Sequence, residues 1–375
     1  MTVQELLGRF HEVAVHPAAQ KDALLAQGKK IVLTAPVYTP EEIIHAMGAV
    51  PMGAWGGDLE LENSKKYFPA FICSIAQSIV ELGMKGVYEG VSAIVIPSLC
   101  DSLKVLGENW KYAVPSIPFI PMTYPQNRKP AFGQTFTLAG YQRVIADLEK
   151  ATGLTFDEAK LADSMEVYNQ HNAAMRELTA VLADHPEITA AQRSDIFKSA
   201  WFMLKEEHTA LVNQLVEALK AQPAGAAKTR ILVSGILTDA PGLTSILDEC
   251  GLQVVADDVA AESRQYRTDS PAEGTPLERL AAKFCNMDHC SLLYDVEKKR
   301  VNLIVDQAKS LNAQGVLLVL TKFCDPEEFD VPLIRRACQA ASLPCSVIEV
   351  DRQMVNYEQA RTAIETFRDL LSESM

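Results

Sequence analysis

Residues 31–57 read IVLTAPVYTPEEIIHAMGAVPMGAWGG, and residues 230–258 read RILVSGILTDAPGLTSILDECGLQVVADD. Both follow one plan: an apolar run, a turn bearing Pro, a helical pattern stopped by Gly, and a second apolar run. In the first, Ile31–Ala35 reads as a strand. Thr39-Pro40-Glu41-Glu42 then opens a helix, with Pro just inside and acids in the first turn where the helix dipole favours them. That helix stops at Gly48, ahead of VPMGAWGG. In the second, 230–236 is a strand, Asp239-Ala240-Pro241 opens a helix that stops at Gly251, and 252–258 is the next strand. Strands alternating with helices call for a parallel sheet with crossovers.

Reading outward, each unit continues into a strand that ends in Cys-Asp. SAIVIPSL (92–99) leads into Cys100-Asp101, and GVLLVLTKF (315–323) leads into Cys324-Asp325-Pro326-Glu327-Glu328. IPFIPM (117–122) and CSVIEVD (345–351) read as closing strands, and a C-terminal helix carries Tyr357, Ile364, Phe367 and Leu371. A helix beginning near Pro69 places Ile72, Ile75, Ala76 and Ile79 on one side. The first 28 residues read as two short helices. Residues 134–221 show helical spacing throughout, as three or four long helices, and AQPAGAAK (221–228) reads as a linker. The expected fold is α/β: two Rossmann-like, flavodoxin-like doubly wound parallel-sheet domains with a helical segment between them. The expected divisions are 1–133, 134–222 and 223–375. The duplication is too weak in identity to carry a function.

Composition narrows the classes. The chain has 375 residues, 48% of them apolar and 22% charged, and a formal net charge of −13. A field of that sign repels phosphate backbones, so no nucleic-acid partner is expected. No apolar run approaches the roughly 18 residues of a membrane span. The start, MTVQELLGRFHEVAVHP, has acids at Glu5 and Glu12 and no basic head, which does not read as a secretory signal. The expected address is cytoplasmic. There is no G-x-x-x-x-G-K-[ST] string, hence no P-loop for ATP.

In a reducing cytosol disulfides are not expected, so the eight cysteines are buried hydrophobes, ligands or nucleophiles. None forms a CxxC, and a metal site must gather cysteines distant in sequence. Cys100 and Cys324 sit at C-terminal ends of parallel strands where helices begin, the edge at which open α/β sheets bind ligands. Cys73 falls in the first turn of the helix after Pro69. Helix starts favour thiolate over thiol. Three such thiolates suit a [4Fe–4S] cluster with one iron left open; ordinary buried thiols are the competing reading. Cys285 and Cys290 flank His289, but C-x4-C is unusual for zinc and positions five apart do not share a helix face. Cys250, Cys338 and Cys345 read as core. Glu41 and Glu42 are the acid–base candidates, since a helix start at a strand's C-terminal end can face the crevice. Asp257, Asp258 and Arg264 either anchor a polar site or pair with one another. His45, His171, His185 and His208 read as structural or solvent-facing.

The stretches TPEEIIHAMGAVPMGAWG, FPAFICSIAQ, PSLCDSLK, FMLKEEHTALV, ILVSGIL, ADDVAAESRQ and TKFCDPEEFDVP together resemble the smaller (β) subunit of the 2-hydroxyacyl-CoA dehydratases. The resemblance runs over essentially the whole chain, and the Cys-Asp-Pro-Glu-Glu string after a strand is its most specific part. It implies that Cys73, Cys100 and Cys324 hold a [4Fe–4S] cluster. KEEHTALV and Cys290-Ser291 look like the lactoyl-CoA type. Ala363, standing where many members have Arg, looks like the 2-hydroxyglutaryl type. The implied reaction is a hydro-lyase step that turns a 2-hydroxyacyl-CoA into a 2-enoyl-CoA. The β proton is not acidic, and acid–base groups alone supply only about 10²–10⁴-fold. One electron, making a ketyl radical at the thioester, is the family's solution. The implied partners are a larger α subunit that binds most of the acyl-CoA and an ATP-dependent iron–sulfur activator, through which alone ATP enters. Some members carry FMN or riboflavin, which leaves flavin in the complex open. Shared faces in such a heterodimer imply exposed apolar surface. Two other readings compete: a homodimeric double-cubane-cluster reductase, and a cluster-free α/β assembly subunit.

Overall fold

The computed structural model describes residues 1–373. Strands β1 (Ile31–Thr34), β2 (Val50–Gly53), β3 (Ala93–Pro97) and β4 (Phe119–Met122) form one parallel sheet in the order β2-β1-β3-β4. Strands β5 (Thr229–Gly235), β6 (Leu252–Val259), β7 (Gly315–Thr321) and β8 (Cys345–Val350) repeat that order as β6-β5-β7-β8. β1, β3 and β7 are buried along their whole length, which is why they read as continuous apolar runs. In each sheet the chain first builds one edge and then crosses to the other side of its starting strand. The β1/β3 and β5/β7 boundaries are therefore the two topological switch points.

The helices are α1 (Val3–Val15), α2 (Pro17–Ala26), α3 (Glu41–Ala46), α4 (Ser74–Met84), α5 (Asp101–Ala113), α6 (Ala131–Thr152) and α7 (Glu158–Leu182). They continue with α8 (Ala190–Ser199), α9 (Lys205–Lys220), α10 (Pro241–Glu249), α11 (Pro276–Asn286), α12 (Lys299–Ser310), α13 (Asp325–Ala340) and α14 (Glu358–Glu373). The helical middle thus holds four helices, one of them short. α1 packs against α8 and α9, where Leu6, Phe10, Phe197, Val212 and Leu215 share an apolar cluster. The main core runs without a break from Ile31 in the first sheet to Leu371 in α14.

Two close contacts join these layers. The Gly53 amide donates to the Trp201 carbonyl at 2.7 Å, and a Cβ on Gly53 would stand 2.7 Å from the Trp201 Cβ, so only glycine lets the 200–204 turn seat on β2. Arg128, fully buried, donates to the carbonyl of Tyr294 at 2.7 Å and to Asp288 at 3.1 Å, fixing the loop after α11.

Glu81 anchors α4 itself. Its buried carboxylate accepts the amides of Asn63 at 2.9 Å and Ser64 at 2.7 Å. Burial pushes the carboxyl up, but the Ser64 and Asn63 donors outweigh it and hold the group at about 2, against an ordinary 4.5. A carboxyl depressed by folding stabilises above its unfolded pKa and loses that contribution as pH falls through the folded one. Glu81→Gln is therefore expected to cost on the order of 2–3 kcal/mol at neutral pH. The gap to wild type should close between about pH 4.5 and 2 in denaturant titrations.

Candidate functional site

Cys73, Cys100 and Cys324 are the N-cap residues of α4, α5 and α13, and at none of the three does a side chain cap the helix. Cys73 precedes the helix instead of lying in its first turn, because a turn closed by the Ile72 amide on the Pro69 carbonyl takes up residues 69–72. Asp101 and Asp325 lie in the first helical turn, one residue past the caps. Four other helices do have side-chain caps: Thr2, Thr189 and Thr275 make capping boxes, and Asp157 caps α7. Cysteine makes no cap at these three starts, so capping does not account for the choice of residue.

All three cysteines line one cavity of about 470 Å³. Val37 after β1 and Ile236 after β5 wall it, so it lies where the C-terminal ends of both sheets face each other. Ile75, Ile79, Leu103 and Leu292 complete an apolar lining, and none of the other five cysteines reaches it. Among the described residues no three His, Cys, Asp or Glu side chains gather closely enough to hold a single metal ion. The thiols surround a space instead of converging on a point.

Burial pushes all three thiols up, Cys100 to about 12. Amides at the helix starts pull the other way, from Ala76 at Cys73, Leu103 at Cys100 and Glu327 at Cys324. The helix-start argument has the right sign, but desolvation outweighs it. For Cys324 the Glu327 carboxylate adds to the rise.

Glu41 and Glu42 open onto a second, more polar cavity of about 810 Å³, which shares Pro36 and Val37 with the first. Glu41 meets Lys205 at 3.2 Å and accepts from the Tyr168 hydroxyl at 3.2 Å, while Glu42 pairs with Lys283 at 2.5 Å. Neither carboxylate lines the cysteine cavity.

Behind Cys324 lies a buried charge network. Asp258 binds Arg264 at 3.0 Å, Arg267 at 2.9 Å and Arg300 at 2.6 Å, and Glu327 bridges Arg264 at 2.9 Å and Arg300 at 2.6 Å. Asp257 pairs with Arg193 at 2.6 Å. Sequence reasoning left Arg300, Ser291 and Glu327 out of any site. A signal existed: Arg300 sits at the i−4 position of the buried stripe Ile304 and Ala308, where a charge needs a partner. The four candidate histidines each meet a neighbouring side chain. His45 bonds Ser164 at 2.9 Å and Glu206 at 3.0 Å, His171 meets His208 at 3.0 Å, and His185 meets Glu187 at 2.6 Å. Cys250, Cys285, Cys290 and Cys338 are buried, and Cys345 packs half-buried against the core of the second sheet.

The family model described as 2-hydroxyglutaryl-CoA dehydratase, D-component, matches residues 36–371. The (R)-phenyllactyl-CoA dehydratase beta subunit of Clostridium sporogenes is 44% identical over 92% of each chain. The lactoyl-CoA dehydratase subunit beta of Anaerotignum propionicum is 37% identical over 98% of this chain and 99% of its own. The (R)-2-hydroxyglutaryl-CoA dehydratase subunit beta of Acidaminococcus fermentans is 35% identical over 99% of this chain and all of its own. No described helix is long and apolar enough to cross a membrane. Two parallel sheets with one strand order, and this match along nearly the whole chain, place the protein in the 2-hydroxyglutaryl-CoA dehydratase, D-component, family.

Proposed function

We propose that the chain is the β subunit of a cytoplasmic 2-hydroxyacyl-CoA dehydratase, and that Cys73, Cys100 and Cys324 hold a [4Fe–4S] cluster. The observation that carries this reading is the cavity: three thiols from three distant helix starts open onto one apolar space. Three sulfurs with no imidazole or carboxylate among the lining residues fit a thiolate-held iron–sulfur cluster, which is wider than an ion. A closed zinc site needs four ligands around a point. When bound, the cluster supplies or stores one electron for the elimination of water through a thioester ketyl radical.

The chain's own residues do the rest. The three cap cysteines bind, with Ala76, Leu103 and Glu327 amides directed at their sulfurs. Val37, Ile236 and Leu292 keep the cavity apolar, which limits water and proton leakage. Glu41 and Glu42, each tied to a lysine in the neighbouring cavity, brace α3 against the helical segment and α11. Phe71, Phe323 and Phe329 stand exposed beside Cys73 and Cys324, which supports a face covered by a larger α subunit. A separate ATP-dependent activator would deliver the electron.

The relatives differ in acyl group, and the phenyllactyl type exceeds the lactoyl type in identity, 44% against 37%. The test is turnover of lactoyl-, phenyllactyl- and 2-hydroxyglutaryl-CoA by this chain with its α subunit, activator, ATP and reductant. Dehydration of at least one, dependent on this chain, is expected. Unchanged turnover without the chain would refute the assignment.

A further inference from the structure

Glu327 lies one turn into α13 from Cys324 and is only 4% exposed. Its Oε1 accepts from Arg264 at 2.9 Å and from the Ser291 hydroxyl at 2.6 Å, and its Oε2 accepts from Arg300 at 2.6 Å. Its own amide donates to the Cys324 carbonyl at 3.0 Å. Ser291 is followed directly by Leu292, a wall of the cysteine cavity. The carboxylate is thus joined to the site twice, through the cap of α13 and through the cavity wall. Helix needs do not account for it, since Asp325 and Glu328 already supply acids to the first turn. Stability does not account for it either: a buried ion cluster seldom outperforms apolar packing of equal volume.

We propose that Glu327, clamped by Arg264 and Arg300, is a positioning residue that fixes Cys324 and sets the electron affinity of whatever the three cysteines hold. Its negative charge opposes the arrival of an electron, and the two arginines favour it. In a buried setting these charges act with little screening by salt. This inference rests on the cluster reading above.

The test is an anaerobic redox titration of the full-length, iron-loaded chain, followed by its electron paramagnetic resonance signal. Glu327→Gln is expected to raise the midpoint potential and Arg264→Gln to lower it, each with the wild-type iron content. The double variant should return towards wild type. Ser291→Ala changes no charge but removes a donor from the carboxylate, so it should lower the midpoint by less than Arg264→Gln. It also carries the test if a glutamine variant proves too unstable to purify. Single variants that load fully and titrate at the wild-type midpoint, or that shift in the same direction, would overturn the proposal. So would iron loss in the glutamine variants together with an unshifted Ser291→Ala chain. A wild-type chain without iron would instead sink the cluster reading, and this inference with it.

Discussion

Anaerobically purified Cys324→Ser protein is expected to lose most of the iron and acid-labile sulfide carried by wild type, which should hold about four irons per chain. Cys73→Ser and Cys100→Ser should do the same. The three thiols sit on separate helix caps around one cavity, so no neighbouring cysteine can take over: none of the other five lines it. A hydroxyl is a harder, weaker ligand for iron than a thiolate. Cys250→Ser and Cys338→Ser are the controls and should keep full iron content, at a cost of about 1–3 kcal/mol for burying a hydroxyl. Loading should also release protons. Without metal all three thiols are held protonated at neutral pH, because burial pushes each of them up. Ligation needs thiolates, so reconstitution should release about three protons per chain from the thiols, beyond those given up by the incoming hydrosulfide. Full iron in Cys324→Ser would refute the three-cysteine site.

Much of this was legible before the structure, and the reason is physical. Strands buried on both faces of a parallel sheet appear as unbroken apolar runs, so β1, β3, β5 and β7 announce themselves. The Cys-Asp junctions after β3 and β7 mark equivalent places, and equivalent places in two sheets of one strand order fall at equivalent switch points. What was not legible depends on contacts between distant residues. Asp239 reads as part of a helix start, yet Ala240 holds the cap position, and Asp239 turns to Arg352 and Lys198, both at 3.0 Å. Glu42 reads as a first-turn acid and pairs with Lys283 across 241 positions. Glu327 also reads as a first-turn acid, and its partners Arg264 and Arg300 come from the turn after β6 and from α12. No local period encodes such pairs. The thiol argument failed in magnitude for a related reason: helix-start amides are visible in sequence, whereas the depth of burial that outweighs them is not.

Asp258→Asn is expected to be the most destabilising single substitution of near-constant size in the C-terminal half, on the order of 3–5 kcal/mol. The carboxylate is fully buried and meets Arg264, Arg267 and Arg300, with the Ser234 hydroxyl at 3.0 Å. The amide keeps the shape and removes the charge, leaving three arginines facing one another with less anion between them. Against a total stability of about 5–15 kcal/mol for a folded domain, that loss is a large fraction. An exposed pair gives the contrast: Glu108→Gln, which breaks the Lys111 contact at 2.8 Å, should fall within about 0.5 kcal/mol of wild type. Acid separates Asp258 from Glu81. Burial raises the Asp258 carboxyl, but the three guanidinium groups more than offset this and hold it well below the usual carboxylate range. A depressed carboxyl loses its contribution progressively from the unfolded pKa downward, and the loss is complete only once pH has passed the folded value. The gap between wild type and Asp258→Asn should therefore still be partly open at about pH 2, where that of Glu81→Gln has closed. Denaturant unfolding of both variants from neutral to acid pH measures this directly. An Asp258→Asn chain within about 1 kcal/mol of wild type would mean that water or an alternative anion reaches the arginines. The charges behind Cys324 would then be too well screened to act on it.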